Sequence, residues 1–191
     1  MKLVVIIVGS LCLALIADAH DQHRALQRGA QPVRRVLVVP PGVTVVRQGI
    51  AGTEPLDAET AALLERLTNA AAAALLAKGR TVLPNPFTRE ALLQDDQLRY
   101  ELADLQARYD LQAPAMHRDG KAVQRGEFTL GREVASLNRD GQADALVMLR
   151  AYGADPTLAK RVYALSLPFG GAAFSTLYLS LALLDARTGE V

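Results

Sequence analysis

A helical stretch, a glycine and a short apolar run follow one another in that order twice, through Gly79 into Thr81-Val82-Leu83 and through Gly141 into Ala145 to Leu149. Strands interleaved with helices argue for α/β layers rather than a sandwich. The first helical stretch opens at Asp57 and carries Leu64, Leu67, Ala71 and Leu75 at three- and four-residue steps. Gly79 stands where a left-handed cap would close it. Its alanines, Ala70 to Ala74, present only methyl groups, so the helix can lie close to a sheet.

Before that helix, Val36-Leu37-Val38-Val39 is a continuous apolar run stopped by Pro40-Pro41-Gly42, as expected of a strand buried on both faces. Val43 to Val46 either extends it or adds a hairpin arm. Thr88 can cap a second long helix running to about Tyr109, with Leu98, Leu102, Leu105 and Tyr109 on one stripe. Asp95 and Asp96 fall off that stripe and read as a solvated face. A polar loop is expected from Gln112 to Glu127, then a shorter helix from Thr129 with Leu130, Val134 and Leu137 on one face. Thr157 to Leu167 suits a helical turn or two before Pro168.

From Phe174 the period changes to two. Leu177, Leu179, Leu181 and Leu183 share one face, and Thr176, Tyr178, Ser180 and Ala182 share the other. Asp185 to Gly189 then has the residues of a turn: Asp185 and Thr188 for its hydrogen bonds and Gly189 for a positive φ. Glu190-Val191 looks like the first step of a returning strand. A long apolar strand with an unpaired edge is an aggregation liability. The expectation is therefore a C-terminally truncated α/β domain: a mixed sheet of four or five strands, two long helices, one or two short ones, and the final antiparallel strand missing.

Residues 1–19 read as a secretory signal peptide: Lys2, an apolar run from Leu3 to Ile16, and an A-x-A site at Ala17-Asp18-Ala19. Fourteen helical residues reach roughly 21 Å, short of a hydrocarbon core of about 30 Å, so cleavage after Ala19 is favoured over an uncleaved anchor. Leu11 before Cys12 does not suit lipidation. Cleavage removes Cys12, the sole cysteine. The mature chain then has no disulfide, thiol nucleophile or cysteine zinc site, and a hydrophobic core alone must hold it. Residues 20–34 read as a flexible tether and 35–191 as one domain, exported to the periplasm or envelope of a Gram-negative bacterium.

Chemistry-bearing motifs are sparse. Of three histidines, His20 and His23 fall in the tether and His117 in the expected polar loop, so none is placed beside a serine nucleophile. Neither a G-x-S-x-G elbow nor a glycine-rich phosphate loop occurs. No catalytic residue and no cofactor are therefore assigned. His20-Asp21-Gln22-His23, with a new amine at His20, could serve Cu(II) or Ni(II), set against the plainer reading of a solvated tail. Seventeen of the 21 basic residues are arginine, but their scatter and a net charge of +1 point to no nucleic-acid groove. The membrane enters only through an uncleaved leader.

Four segments together resemble a group of uncharacterised proteobacterial envelope proteins: RVLVVPPG (Arg35 to Gly42), FTLG (Phe128 to Gly131), ADALVMLRAY (Ala143 to Tyr152) and LALLDARTGEV (Leu181 to Val191). Their layout is similar to that of the N-terminal domain of TolB and of the curli-secretion lipoprotein CsgG. The aspartate-x-x-threonine-glycine turn is the most specific element. The resemblance implies an α/β envelope module, often lipid-anchored, that works by protein contacts rather than catalysis. It transfers no functional residue. The function expected is an exported, non-catalytic accessory or assembly component binding envelope proteins through a sheet edge or helix face. The alternative is a periplasmic small-ligand or metal-binding protein.

Overall fold

The computed structural model describes residues 33–160, 163 and 175–191. The leader, His20, His23, most of the tether and Gly170-Gly171 lie outside the described residues. Among the described residues six strands form one mixed sheet, to which five named helices add two layers in an α/β fold. In chain order the elements are β1 (Arg35–Val38), β2 (Gly42–Gln48), β3 (Thr53–Pro55), α1 (Asp57–Ala77), β4 (Thr81–Val82), α2 (Arg89–Gln94), α3 (Asp96–Arg118), α4 (Gly120–Arg125), α5 (Val134–Leu137), β5 (Ala145–Pro156) and β6 (Thr176–Asp185).

β5 organises the sheet. On one side it pairs in parallel with β1, Val36 opposite Ala145, and then with β2, Gly42 opposite Arg150. Between those registers three residues, Val39 to Pro41, stand opposite Met148 and Leu149 alone, so β1 and β2 are one strand interrupted by a bulge. Pro40 and Pro41 lack an N–H for the ladder, which is why the interruption falls there. The diproline therefore bends the strand without ending it. β4 continues the sheet beside β1 in parallel, and β3 folds back on β2 as a hairpin arm. On its other side β5 pairs with β6, antiparallel, over ten register positions from Ala145–Asp185 to Ala154–Thr176.

Both faces of the centre are covered, which explains the near-continuous apolar run of β5. On one face Ala71 and Leu75 of α1 pack on Val36, Val38, Val147 and Leu149. Two methyl-bearing positions, Ala71 and Ala74, are buried there, so the alanine run does bring the helix close. Gly79, at φ 71°, closes α1: Arg80 N–H reaches Leu75 C=O at 3.0 Å. On the other face Leu98, Leu102, Leu105 and Tyr109 of α3 pack on Leu37, Val39, Leu146, Met148, Ala182 and Leu184. Complete burial of each such leucine or valine contributes about 1.5–3 kcal/mol before entropy is counted.

Several expectations are corrected. The sheet has six strands rather than four or five, because the three-residue β3 carries no apolar alternation that would reveal it. The final antiparallel strand is present: β6 is bonded to β5 along its length. After its turn, Glu190 bridges Thr129 and Val191 N–H donates to Phe128 C=O at 3.2 Å. The expected single helix from Thr88 is two. Thr88 caps α2, and Asp95 in an extended conformation then caps α3, its Oδ1 accepting from Leu98 N–H at 2.8 Å. The expected polar loop from Gln112 is instead the last turns of α3 and all of α4. Pro114 is tolerated inside α3 because the carbonyl it frees, that of Asp110, accepts a guanidinium N–H of Arg150 at 3.4 Å. From Thr129 the helix is only Val134–Leu137, since Thr129 is held in the bridge to Glu190.

Candidate functional site

β6 is the outermost strand, and the hydrogen-bond parity of its two edges follows from its neighbours. Ala186 N–H donates to Asp144 C=O at 3.1 Å on the β5 side, whereas Asp185 N–H turns away to Glu190 C=O at 2.9 Å. An antiparallel strand alternates its backbone direction residue by residue. The even-numbered residues 176–184 therefore bond to β5. Leu177, Leu179, Leu181 and Leu183 direct their N–H and C=O groups outward. Among the described residues no strand pairs with that outer edge. It ends at Asp185, where the return through Glu190 occupies the next position.

The side chains along this edge are unusual for one facing water. Residues 176–184 carry no charge, no proline and no glycine, the devices with which solvent-facing edges are normally protected. Tyr178 is 67% exposed and Leu181 43%. Leu177 and Leu179 reach Leu63, Leu67 and Ala70 of α1 and are only half-buried. On the opposite face the Tyr109 hydroxyl and Ser180 Oγ are 2.8 Å apart, tying α3 to the middle of β6. Burial pushes the Tyr109 phenol up to about 12, with the hydrogen bond to Ser180 acting the other way. The strand is thus fixed from behind, while no described strand pairs with its outer edge.

The turn beyond β6 is built from the residues its sequence singled out. Asp185 Oδ1 accepts from Arg187 N–H at 2.8 Å and Thr188 N–H at 2.9 Å, and Thr188 Oγ1 accepts from Glu190 N–H at 3.3 Å. Gly189 has φ 71°, and a Cβ there would lie 2.2 Å from Gly131 C=O. FTLG and the terminal turn, separate in sequence, are one structural unit.

A cleft of about 550 Å³ lies between the β4–α2 connection and the loop after α5, lined by Leu83, Asn85, Asp95, Asn138, Arg139 and Gln142 among others. Several of its polar groups have structural partners. Asp95 caps α3 and pairs with Arg139 at 2.6 Å. That guanidinium, with Leu98 N–H, holds the Asp95 carboxyl below its ordinary range. Asn138 exchanges two hydrogen bonds with the backbone of Ala143, each 3.0 Å. The adjacent acids Asp95 and Asp96 take separate roles, since Asp96 pairs with Arg99 at 2.7 Å. Asp144, at the start of β5, accepts from the backbone N–H groups of Arg34 and Arg35 at 3.0 and 2.9 Å, which lowers its pKa.

Among the described residues no three of histidine, cysteine, aspartate and glutamate gather where they could hold a metal ion. His117 sits in the last turn of α3. No helix among the described residues is long and apolar enough to cross a membrane. Period-two patterning marks β6 itself. The Tyr109–Ser180 link and the double role of Asp95 were not foreseen, because each joins residues from different elements. Comparison with protein-family models, curated proteins and solved structures found no match.

Proposed function

We propose that this chain is an exported, non-catalytic component of a bacterial cell envelope, an accessory or assembly factor whose docking surface is the outer edge of β6. One observation carries the reading: four consecutive outward-facing backbone positions, Leu177 to Leu183, on an uncharged and half-exposed strand. Strand addition satisfies such groups by main-chain hydrogen bonds and reads the alternate side chains. The apolar leader and the likeness to envelope modules support the compartment. The half-buried leucines and exposed Tyr178 support contact with protein rather than with a charged small molecule.

Site-specific photocrosslinkers at Leu179 and Leu181, in the chain expressed with its leader, test the docking edge. They are expected to trap a protein in envelope fractions, whereas crosslinkers at Leu76 and Leu93, exposed apolar positions on helices, trap none. Equal trapping at all four positions, or none at the strand, overturns the reading.

A further inference from the structure

We infer that the partner strand is β6 of a second copy of this chain, paired antiparallel about a two-fold axis passing through Ser180. This inference rests on the reading of the β6 edge as a docking surface. Its first support is register. An axis at Ser180 sets Leu177 opposite Leu183 of the second copy and Leu179 opposite Leu181, with the reciprocal pairs generated by symmetry. All four outward residues of each copy then fall in hydrogen-bonded pairs, and each pair exchanges two bonds. The eight resulting bonds use every outward group from Leu177 to Leu183 in both strands. An axis at Leu181 does worse, because it sets Leu177 against Asp185, whose N–H is already given to Glu190. An axis at Leu179 forms only three leucine pairs.

Side-chain size and charge fit the same arrangement. On the α3 side the pairs are Tyr178 with Ala182 and Ser180 with itself, so the large exposed ring meets the smallest side chain of the strand. On the α1 side every pair is leucine on leucine. No charge occurs from Thr176 to Leu184, so symmetry sets no like charges opposite each other, and an acidic or basic peptide would find no counter-charge there. The nine residues span about 31 Å at about 3.4 Å per residue. With helix layers about 10 Å above and below the sheet, the contact covers about 600 Å² per copy. The total of about 1,200 Å² reaches the lower end of stable, specific interfaces.

Three measurements on the full chain test this. Sedimentation equilibrium is expected to give twice the chain mass for the wild type and a monomer for Leu181→Lys, with unchanged far-ultraviolet circular dichroism. Amide exchange of the wild type, which needs no substitution, is expected to slow at least about tenfold at Leu177, Leu179, Leu181 and Leu183 on raising the concentration through the dimerisation range. Register is read by oxidation of a Cys12→Ser, Ser180→Cys chain, which is expected to link as a dimer, since opposed residues in a non-hydrogen-bonded pair lie close enough for a disulfide. A monomeric wild type whose four leucine amides exchange independently of concentration overturns the self-pairing. A dimer protected at other amides overturns it as well. If the photocrosslinkers at Leu179 and Leu181 nonetheless trap a different protein, the docking edge stands and only the identity of its occupant falls; if they trap nothing, both fall.

Discussion

Replacing Tyr109 by phenylalanine should destabilise the protein at neutral pH and stabilise it at high pH. The hydroxyl lies 2.8 Å from Ser180 Oγ inside the α3–β6 contact, and its loss removes one hydrogen bond, about 1 kcal/mol. Burial pushes the phenol's pKa in the folded state up to about 12, against an ordinary value of 10.0. A group whose pKa is raised by folding contributes stability that is complete below its unfolded value and disappears as pH rises through the folded one. Two units correspond to about 2.7 kcal/mol, which the wild type loses between about pH 10 and pH 12 while the variant, having no phenol there, undergoes no such loss. The two stability curves therefore cross where the wild type has lost about 1 kcal/mol, near pH 11. Guanidinium unfolding followed by circular dichroism from pH 8 to pH 11.5 reads the difference directly, because titration of the other tyrosines and the lysines is common to both proteins. A wild-type advantage that stays constant across that range would refute the burial of Tyr109 and with it the anchoring of β6 from behind.

Gly189→Ala forces a left-handed φ on a side-chain-bearing residue, a cost of about 1–2 kcal/mol, and sets a methyl group against the Gly131 carbonyl. Its melting temperature should fall by several degrees, whereas an unchanged melt would mean that the terminal turn is not docked on FTLG. Asp144→Asn should cost about 1 kcal/mol at pH 7, because a carboxylate receiving two backbone N–H groups is replaced by a neutral amide. The Asp144 pKa is lowered in the folded state, so its contribution is present above the unfolded value of 3.8 and lost as pH falls through the folded one. The gap between variant and wild type should accordingly narrow as pH falls below 3.8 in denaturant titrations; a gap that widens with acidification contradicts the assignment.

Local periodicity made much of this fold legible. Leu64 to Leu75 announced α1, Leu98 to Tyr109 the stripe of α3, and the leucines from 177 to 183 one face of β6, since each pattern is written in consecutive residues. Strand order was another matter. That Val36 lies beside Ala145, and that Val39-Pro40-Pro41 forms a bulge rather than an end, depends on a partner strand far along the chain. Asp95 was read as a solvated acid, although it stands at a helix break and meets Arg139 from the α5 loop. The proline at 114 suggested loop because its rescue comes from Arg150 in β5, a residue no local window contains. The alternating leucines of the candidate site are visible as patterning. Which of its backbone groups face outward required the registers on both sides of β5.

The parallel pairing of β1 and β2 with β5 also sets an order of events during synthesis. Arg35 and Asp144 meet across 109 intervening steps of sequence, and apart from the two-residue β4 and three-residue β3 the amino-terminal strands have no lateral neighbour until β5 has been made. Contacts that span such distances form late, because the loop between them must first be closed at an entropic cost. The half that emerges first from the ribosome therefore has only β3, β4 and the first long helix beside its strands, and the sheet is completed once β5 is available.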